Sequence, residues 1–292
     1  MKLKITIDIF SGRENPVIEL EGKEAEEALI RLEPAAGLKD SEIIPLQSIL
    51  GYRGLIIEQE DATSKKLPRL FRLADGKLIG PDFAHRVSDE KFEDFIIKSV
   101  GQIRNIQIEK RFDRFLSEEI SRYRQLESEF MLRKIKWPPL KKRCLCSPIY
   151  EPDWWNDGGQ KQYNNNCYNY ATNYRSDTFA QPGLAAGAMY TSLECTSVLP
   201  AAIKDELIDN PNANNRCPQN GHLVALVIAP GYDFHWYRKG NNGYWTHKPG
   251  GTPVTNLDNS GKLIKDPRIA NRGPYTEFCT YMIVRHGHIK IK

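Results

Sequence analysis

Gly221-His222-Leu223-Val224-Ala225-Leu226-Val227-Ile228, Phe234-His235-Trp236-Tyr237-Arg238 and Tyr244-Trp245-Thr246-His247 are the three runs whose reading decides the fold. Leu223 to Ile228 is an unbroken apolar run of strand length. Pro230-Gly231-Tyr232-Asp233 is a turn, and Asn241-Asn242-Gly243 is a second one. The three runs therefore read as an antiparallel meander, closed by Pro249-Gly250. It carries three histidines, His222, His235 and His247, spaced 13 and 12 residues apart. Such spacings bring side chains on neighbouring strands together when they share a face of the sheet.

Upstream lies Gln160-Lys161-Gln162-Tyr163-Asn164-Asn165-Asn166-Cys167-Tyr168-Asn169-Tyr170-Ala171-Thr172-Asn173. The polar, Asn-rich part reads as a turn and the part after Cys167 as a helix. A cysteine at a helix start meets free backbone N–H groups and the positive end of the macrodipole, which favour the thiolate. Cys167 is the candidate nucleophile. Gln160, Gln162 and Asn166, with the Cys167 N–H, are candidate oxyanion donors. Trp155 and Trp236 are candidate substrate-contacting rings.

This order, a helix-start cysteine followed by a strand histidine and a polar residue on the next strand, resembles the papain-like cysteine hydrolases. Within them it is most similar to the NlpC/P60-type amidases and endopeptidases, over roughly residues 150–285. It departs from their familiar box, because Asn166-Cys167-Tyr168 stands where Asp-Cys-Ser or Asp-Cys-Thr is usual. The block Cys-Tyr-Asn-Tyr-Ala with His-Trp-Tyr-Arg and His-Lys-Pro-Gly also looks like a group of poorly characterised bacterial and invertebrate proteins. The resemblance implies a Cys-bearing helix packed on an antiparallel sheet, with His235 as base and His247 as orienter; His222 as base with His235 as orienter is the other register. The implied reaction is attack on an amide or peptide bond through a thioacyl intermediate, resolved by water or, in a transglutaminase-type transfer, by an amine. No cofactor is implied.

Other readings compete. Trp154, Trp155, Tyr168, Tyr170, Trp236, Tyr237, Tyr244 and Trp245 are numerous enough to line a non-catalytic carbohydrate- or peptide-binding groove on the same fold. Cys144 and Cys146, with Cys217 and His222, are a possible zinc set, although a C-x-C pair is a weak signal. Cys144 or Cys146 can instead pair with Cys195, Cys217 or Cys279 as disulfides, leaving Cys167 free. The chain has no G-x-x-x-x-G-K-[ST] or G-x-G-x-x-G motif, so nucleotide chemistry is unsupported.

Composition divides the 292 residues in two. Residues 1–143 hold 27 basic and 25 acidic residues, and residues 144–292 hold 14 and 12 with all six cysteines. We place domains at 1–137 and 138–292, an α+β chain overall. In the first, Lys4 to Phe10 alternates as a strand, Ser11-Gly12-Arg13-Glu14-Asn15-Pro16 is a turn cluster, and Val17 to Leu20 pairs back as a hairpin. Residues 22–33 read as an acidic amphipathic helix, two strands follow around 54–58 and 70–73, and 89–136 as one or two long helices stopped by Pro138 and Pro139. The basic stretch 101–143 reads as a solvated helix face. A net charge of +4 argues against a dedicated nucleic-acid binder, and no run reaches the length of a membrane span. The N-terminus alternates like a strand and not like a signal peptide, which predicts a cytoplasmic chain, against which six cysteines in 149 residues is a dense set.

Overall fold

The computed structural model describes residues 1–39, 48–60, 64, 66–80, 83–98, 112–130 and 144–292. The chain forms two compact units. The first comprises Met1–Ile9, Asn15–Gln47 and Tyr52–Met131; the second comprises Phe10–Glu14, Ser48–Gly51 and Leu132–Lys292. The domain boundary expected between Pro138 and Cys144, the Trp137-Pro-Pro helix stop and most of the basic 101–143 stretch lie outside the described residues. Two short early segments, one of them most of the Ser11–Pro16 turn cluster, belong to the second unit and not to the first.

The first unit is an antiparallel sheet in the order β2-β1-β4-β5-β6-β7-β3. Its strands are β1 (Lys2–Ile7), β2 (Val17–Glu21), β3 (Pro34–Gly37), β4 (Leu55–Gln59), β5 (Leu70–Ala74), β6 (Lys77–Gly80) and β7 (Phe83–Val87). Val17–Glu21 does pair back on β1 as the alternation predicts, with Ile5 opposite Ile18. Helices α1 (Gly22–Arg31), α2 (Phe92–Lys98) and α3 (Phe112–Phe130) accompany the sheet. Asp8 binds Arg53 and Arg72 at 2.6 Å each. Burial would raise its pKa, but the two guanidinium groups prevail and hold it at about 2.

The second unit holds α4 (Pro152–Trp155), α5 (Gln160–Tyr163), α6 (Cys167–Thr172) and α7 (Cys195–Lys204). Its strands are β8 (Ile208–Asp209), β9 (His222–Ala229), β10 (Asp233–Lys239), β11 (Trp245–His247) and β12 (Glu277–Val284). They form one antiparallel sheet in the order β11-β10-β9-β12-β8. The predicted meander is present. Every residue of β9 is buried, because both faces of the sheet are covered, which is why it reads as an apolar run without alternation. On one face, Val224, Leu226, Ile228, Phe234 and Trp236 meet Cys167, Tyr168 and Ala171 of α6 and Val198 of α7. On the other, Leu223, Ala225, Val227 and Tyr237 meet Leu50, Ala213, Ile264 and Tyr275. Gly221 enters β9 at φ 81°, and a Cβ there would lie 2.1 Å from the Val284 carbonyl, so only glycine fits.

Disulfides join Cys144 to Cys217 and Cys195 to Cys279, the latter tying the first turn of α7 to β12. The pairing overturns the zinc reading, since two of its thiolates are consumed. Among the described residues no helix is long and apolar enough to cross a membrane.

Candidate functional site: a buried cysteine, two histidines and an early loop

Asn166 starts α6. Its side chain accepts from the N–H groups of Tyr168 (3.0 Å) and Asn169 (3.1 Å), while the Asn169 side chain accepts from the Asn166 N–H, a reciprocal capping box. Cys167 is therefore the first helical residue, as its sequence context predicts. Its side chain is fully enclosed. Burial pushes the thiol well above its usual pKa, and the nearby Asp233 carboxylate adds to that shift. The expected helix-start activation is outweighed: α6 has only six residues, and desolvating a thiolate costs more than its dipole returns.

His235 and His247 do meet. Tyr237 stands opposite His247, so His235 is the diagonal neighbour of His247 across the β10–β11 pair. His235 Nε2 lies 2.9 Å from His247 Nδ1, and His247 Nε2 lies 3.0 Å from the Leu257 carbonyl. A carbonyl only accepts, so His247 carries its proton on Nε2, its Nδ1 accepts, and His235 donates from Nε2. That leaves His235 Nδ1 as the acceptor in the neutral ring, and there it meets the Ser11 hydroxyl at 2.9 Å.

Strand alternation sets the relation between cysteine and histidine. Phe234 and Trp236 point to the α6 face with Cys167, whereas His235 and Tyr237 point to the other. Ser11 sits beside the strand between them. Its hydroxyl touches His235 Nδ1 and lies 3.4 Å from the Phe234 carbonyl. Cys167 Sγ itself lies 4.0 Å from that same carbonyl. Both ring nitrogens of His235 are engaged, one by Ser11 and one by His247.

The remaining candidates divide. His222 stands apart: β9 pairs its Val227 with His235, five positions further along, while His222 pairs Val284. Its Nε2 lies 2.7 Å from the Ala171 carbonyl. Burial lowers its pKa to about 3, so it is a neutral structural donor, and the register pairing His222 with His235 is corrected. Gln162 donates to the Gly251 carbonyl at 3.1 Å, and Gln160 is exposed on α5, whereas Cys167 is fully enclosed. Asn166 is occupied as well: its Nδ2 donates to the carbonyls of Gly12 and Ala180 at 2.8 Å each, which takes both amide hydrogens and leaves none for an oxyanion. Trp155 and Trp236 are enclosed, edge-on to Tyr170 and tilted on Tyr168, so they are core and not groove walls.

Sequence reasoning missed Ser11, Asp233 and Tyr275. Asp233 Oδ2 accepts from the Ser11 N–H at 2.6 Å and from the Tyr275 hydroxyl at 2.5 Å. The sequence marks Asp233 only as part of a turn, and Ser11 only as part of a turn cluster in the first domain. No local pattern links residues 222 positions apart.

The second unit is thus a disulfide-stapled α+β module in which Cys167, Asp233, His235 and His247 are all enclosed and Ser11 is bonded to both Asp233 and His235. The chain belongs to the family of insoluble matrix shell protein 1 of Ruditapes philippinarum, with which it is 46% identical over 141 residues, covering 47% of this chain and 90% of that protein. No family model matches the chain, and no solved structure does. The relative's name and the two disulfides overturn the cytoplasmic expectation. Cystines persist in oxidising, extracellular surroundings, whereas cytosolic thiols are kept reduced; an N-terminus that reads as a strand does not outweigh that.

Proposed function

We propose that the protein is a structural component of an extracellular matrix, with a second unit that serves as a rigid, disulfide-stapled module and does not turn over a substrate in the conformation described. The observation that carries this reading is the sealing of the Cys–His line. Cys167 and His235 are fully enclosed, and Ser11 and His247 take both nitrogens of the imidazole. The likeness to a protein named for an insoluble shell matrix supports it. The test is haloacetamide labelling of the native, unreduced chain with mass mapping. Cys146, free and exposed, labels, and Cys167 does not. Labelling of Cys167 below the free-thiol pKa of ~8.5, slowed by His235→Ala, overturns the structural reading.

One observation favours a second reading, a papain-like cysteine hydrolase or acyl transferase in a closed form. Ser11–His235–His247–Leu257 is a continuous hydrogen-bonded line, and Cys167 Sγ and the Ser11 hydroxyl lie against the same Phe234 carbonyl at 4.0 and 3.4 Å, an arrangement through which a thiol proton would reach an oriented imidazole. In that reading Cys167 attacks a peptide or amide carbonyl, and the Ser11 hydroxyl passes the thiol proton to His235. Ser11→Ala then shows the difference: it lowers peptide turnover if the relay operates and changes no turnover if the module is structural.

A further inference from the structure

The segment Ser11-Gly12-Arg13 is held the way a protein holds a peptide ligand. Its backbone is recognised group by group. The N–H groups of Ser11, Gly12 and Arg13 all donate to the Asp233 carboxylate, at 2.6, 3.1 and 3.1 Å. The Ser11 carbonyl accepts from the Cys167 N–H at 3.5 Å. The Gly12 carbonyl accepts from Asn166 Nδ2 and from Gln181 Nε2, both at 2.8 Å. The side chains are read as well. The Ser11 hydroxyl meets His235 Nδ1 and the Tyr275 hydroxyl, each at 2.9 Å. A Cβ on Gly12 would lie 2.5 Å from both the Phe234 ring and the Phe234 carbonyl, so the second position admits only glycine. The Arg13 guanidinium stacks over Phe10 at 4.7 Å and donates to the Tyr232 carbonyl at 3.2 Å.

A chain segment that merely crosses a core surrenders its backbone groups to a regular ladder or to its own turn. Here three consecutive N–H groups converge on one buried carboxylate contributed from 220 or more positions away, and two consecutive carbonyls meet three donors from the start of α6 and the loop after it. Carboxylate capture of successive N–H groups, a size filter at glycine and a hydroxyl read by an imidazole together make a sequence-selective subsite.

We propose that the second unit carries a peptide-recognition cleft, bounded by Asp233, Asn166, Gln181 and the His235 ring, whose ligand class is a peptide of the form aromatic-Ser-Gly-Arg and which the chain's own residues 10–14 occupy as an intramolecular ligand. The same cleft takes that sequence from another polypeptide when the resident segment is displaced. The inference holds whether or not the site has chemistry, and it adds a ligand to the structural reading.

The probe is a fluorescent pentapeptide, Phe-Ser-Gly-Arg-Glu, added to the full chain carrying Gly12→Val, which expels the resident segment. Polarisation is expected to rise saturably, with at least about tenfold tighter apparent binding than to the natural chain, where the tethered copy competes at high effective concentration. A control peptide with alanine for glycine is expected not to bind. Recovery of the probe intact or cut, by mass, separates pure binding from turnover, so failure of the hydrolase reading leaves this one standing. A folded Gly12→Val chain that binds neither peptide overturns it, as does equal binding of both. If Gly12→Val fails to fold, amide exchange on the Asp233→Asn chain decides. Exchange at Ser11, Gly12 and Arg13 is expected to rise about tenfold or more while the amides of β9 stay protected, as for a seated ligand that opens locally. Exchange of the segment only together with β9 would make it an integral part of the core and overturn the proposal.

Discussion

The hydroxyl of Ser11 lies 2.9 Å from Nδ1 of His235, a residue 224 positions further along the chain. That contact ends a buried line whose protonation pattern is set from its other end. The Leu257 carbonyl sets the tautomer of His247, His247 sets that of His235, and His235 leaves an acceptor nitrogen for Ser11.

His247→Ala removes the hydrogen bond that the buried His235 Nε2 makes to His247. The expected cost is about 1–3 kcal/mol on top of the lost ring packing. Denaturant unfolding of the second unit measures it. His247→Asn, whose side-chain amide also offers an acceptor, should recover part of the loss.

His222 gives the second unit an acid limit. Its folded pKa is depressed to about 3 by burial, against about 6.5 when unfolded. The unfolded chain therefore binds the proton first. The stability contribution is complete above pH ~6.5 and is lost as pH falls towards ~3, at about 1.4 kcal/mol per pH unit. His222→Gln should flatten that slope in urea titrations at successive pH values.

The first unit has the opposite dependence at mild pH. Burial raises Glu93 and Glu119 to about 7 each, Glu93 despite the hydrogen bond from Tyr52. Both keep a proton in the folded state that the unfolded chain has released, so stability falls as pH rises from ~4.5 to ~7. Asp8, held at about 2, acts the other way and costs stability only as pH falls from ~4 through ~2. The unit is expected to be most stable near pH 4, and Glu119→Gln should move that optimum upward in thermal melts.

The cystines bear much of the second unit's stability. Cys195 and Cys279 close a separation of 84 residues and Cys144 and Cys217 one of 73. Replacing either pair by alanine should cost about 2–5 kcal/mol. A non-reducing peptide map checks the pairing, and a chain whose Cys146 was found bridged internally would contradict it.

Much of the local structure is readable in the residues. The apolar run of β9, the Pro230-Gly231 and Asn241-Asn242-Gly243 turns and the Asn166 cap are short-range patterns, and each element forms where its own residues place it. The 12-residue spacing of His235 and His247 also worked, because one turn and one register relate them. The 13-residue spacing of His222 and His235 did not, since the β9–β10 register sets His235 opposite Val227.

The sequence by itself determined the α+β class, the meander, the helix-start position of Cys167 and the meeting of two histidines. Those follow from periodicity, turn chemistry and capping, whose range is a few residues to one hairpin. Only the tertiary structure decided which face of the sheet each side chain occupies, that Cys167 is sealed as a thiol, and that Ser11 stands between it and His235. Burial and partnership across more than 200 positions are properties of the assembled core, where desolvation outweighs the local preference for a thiolate.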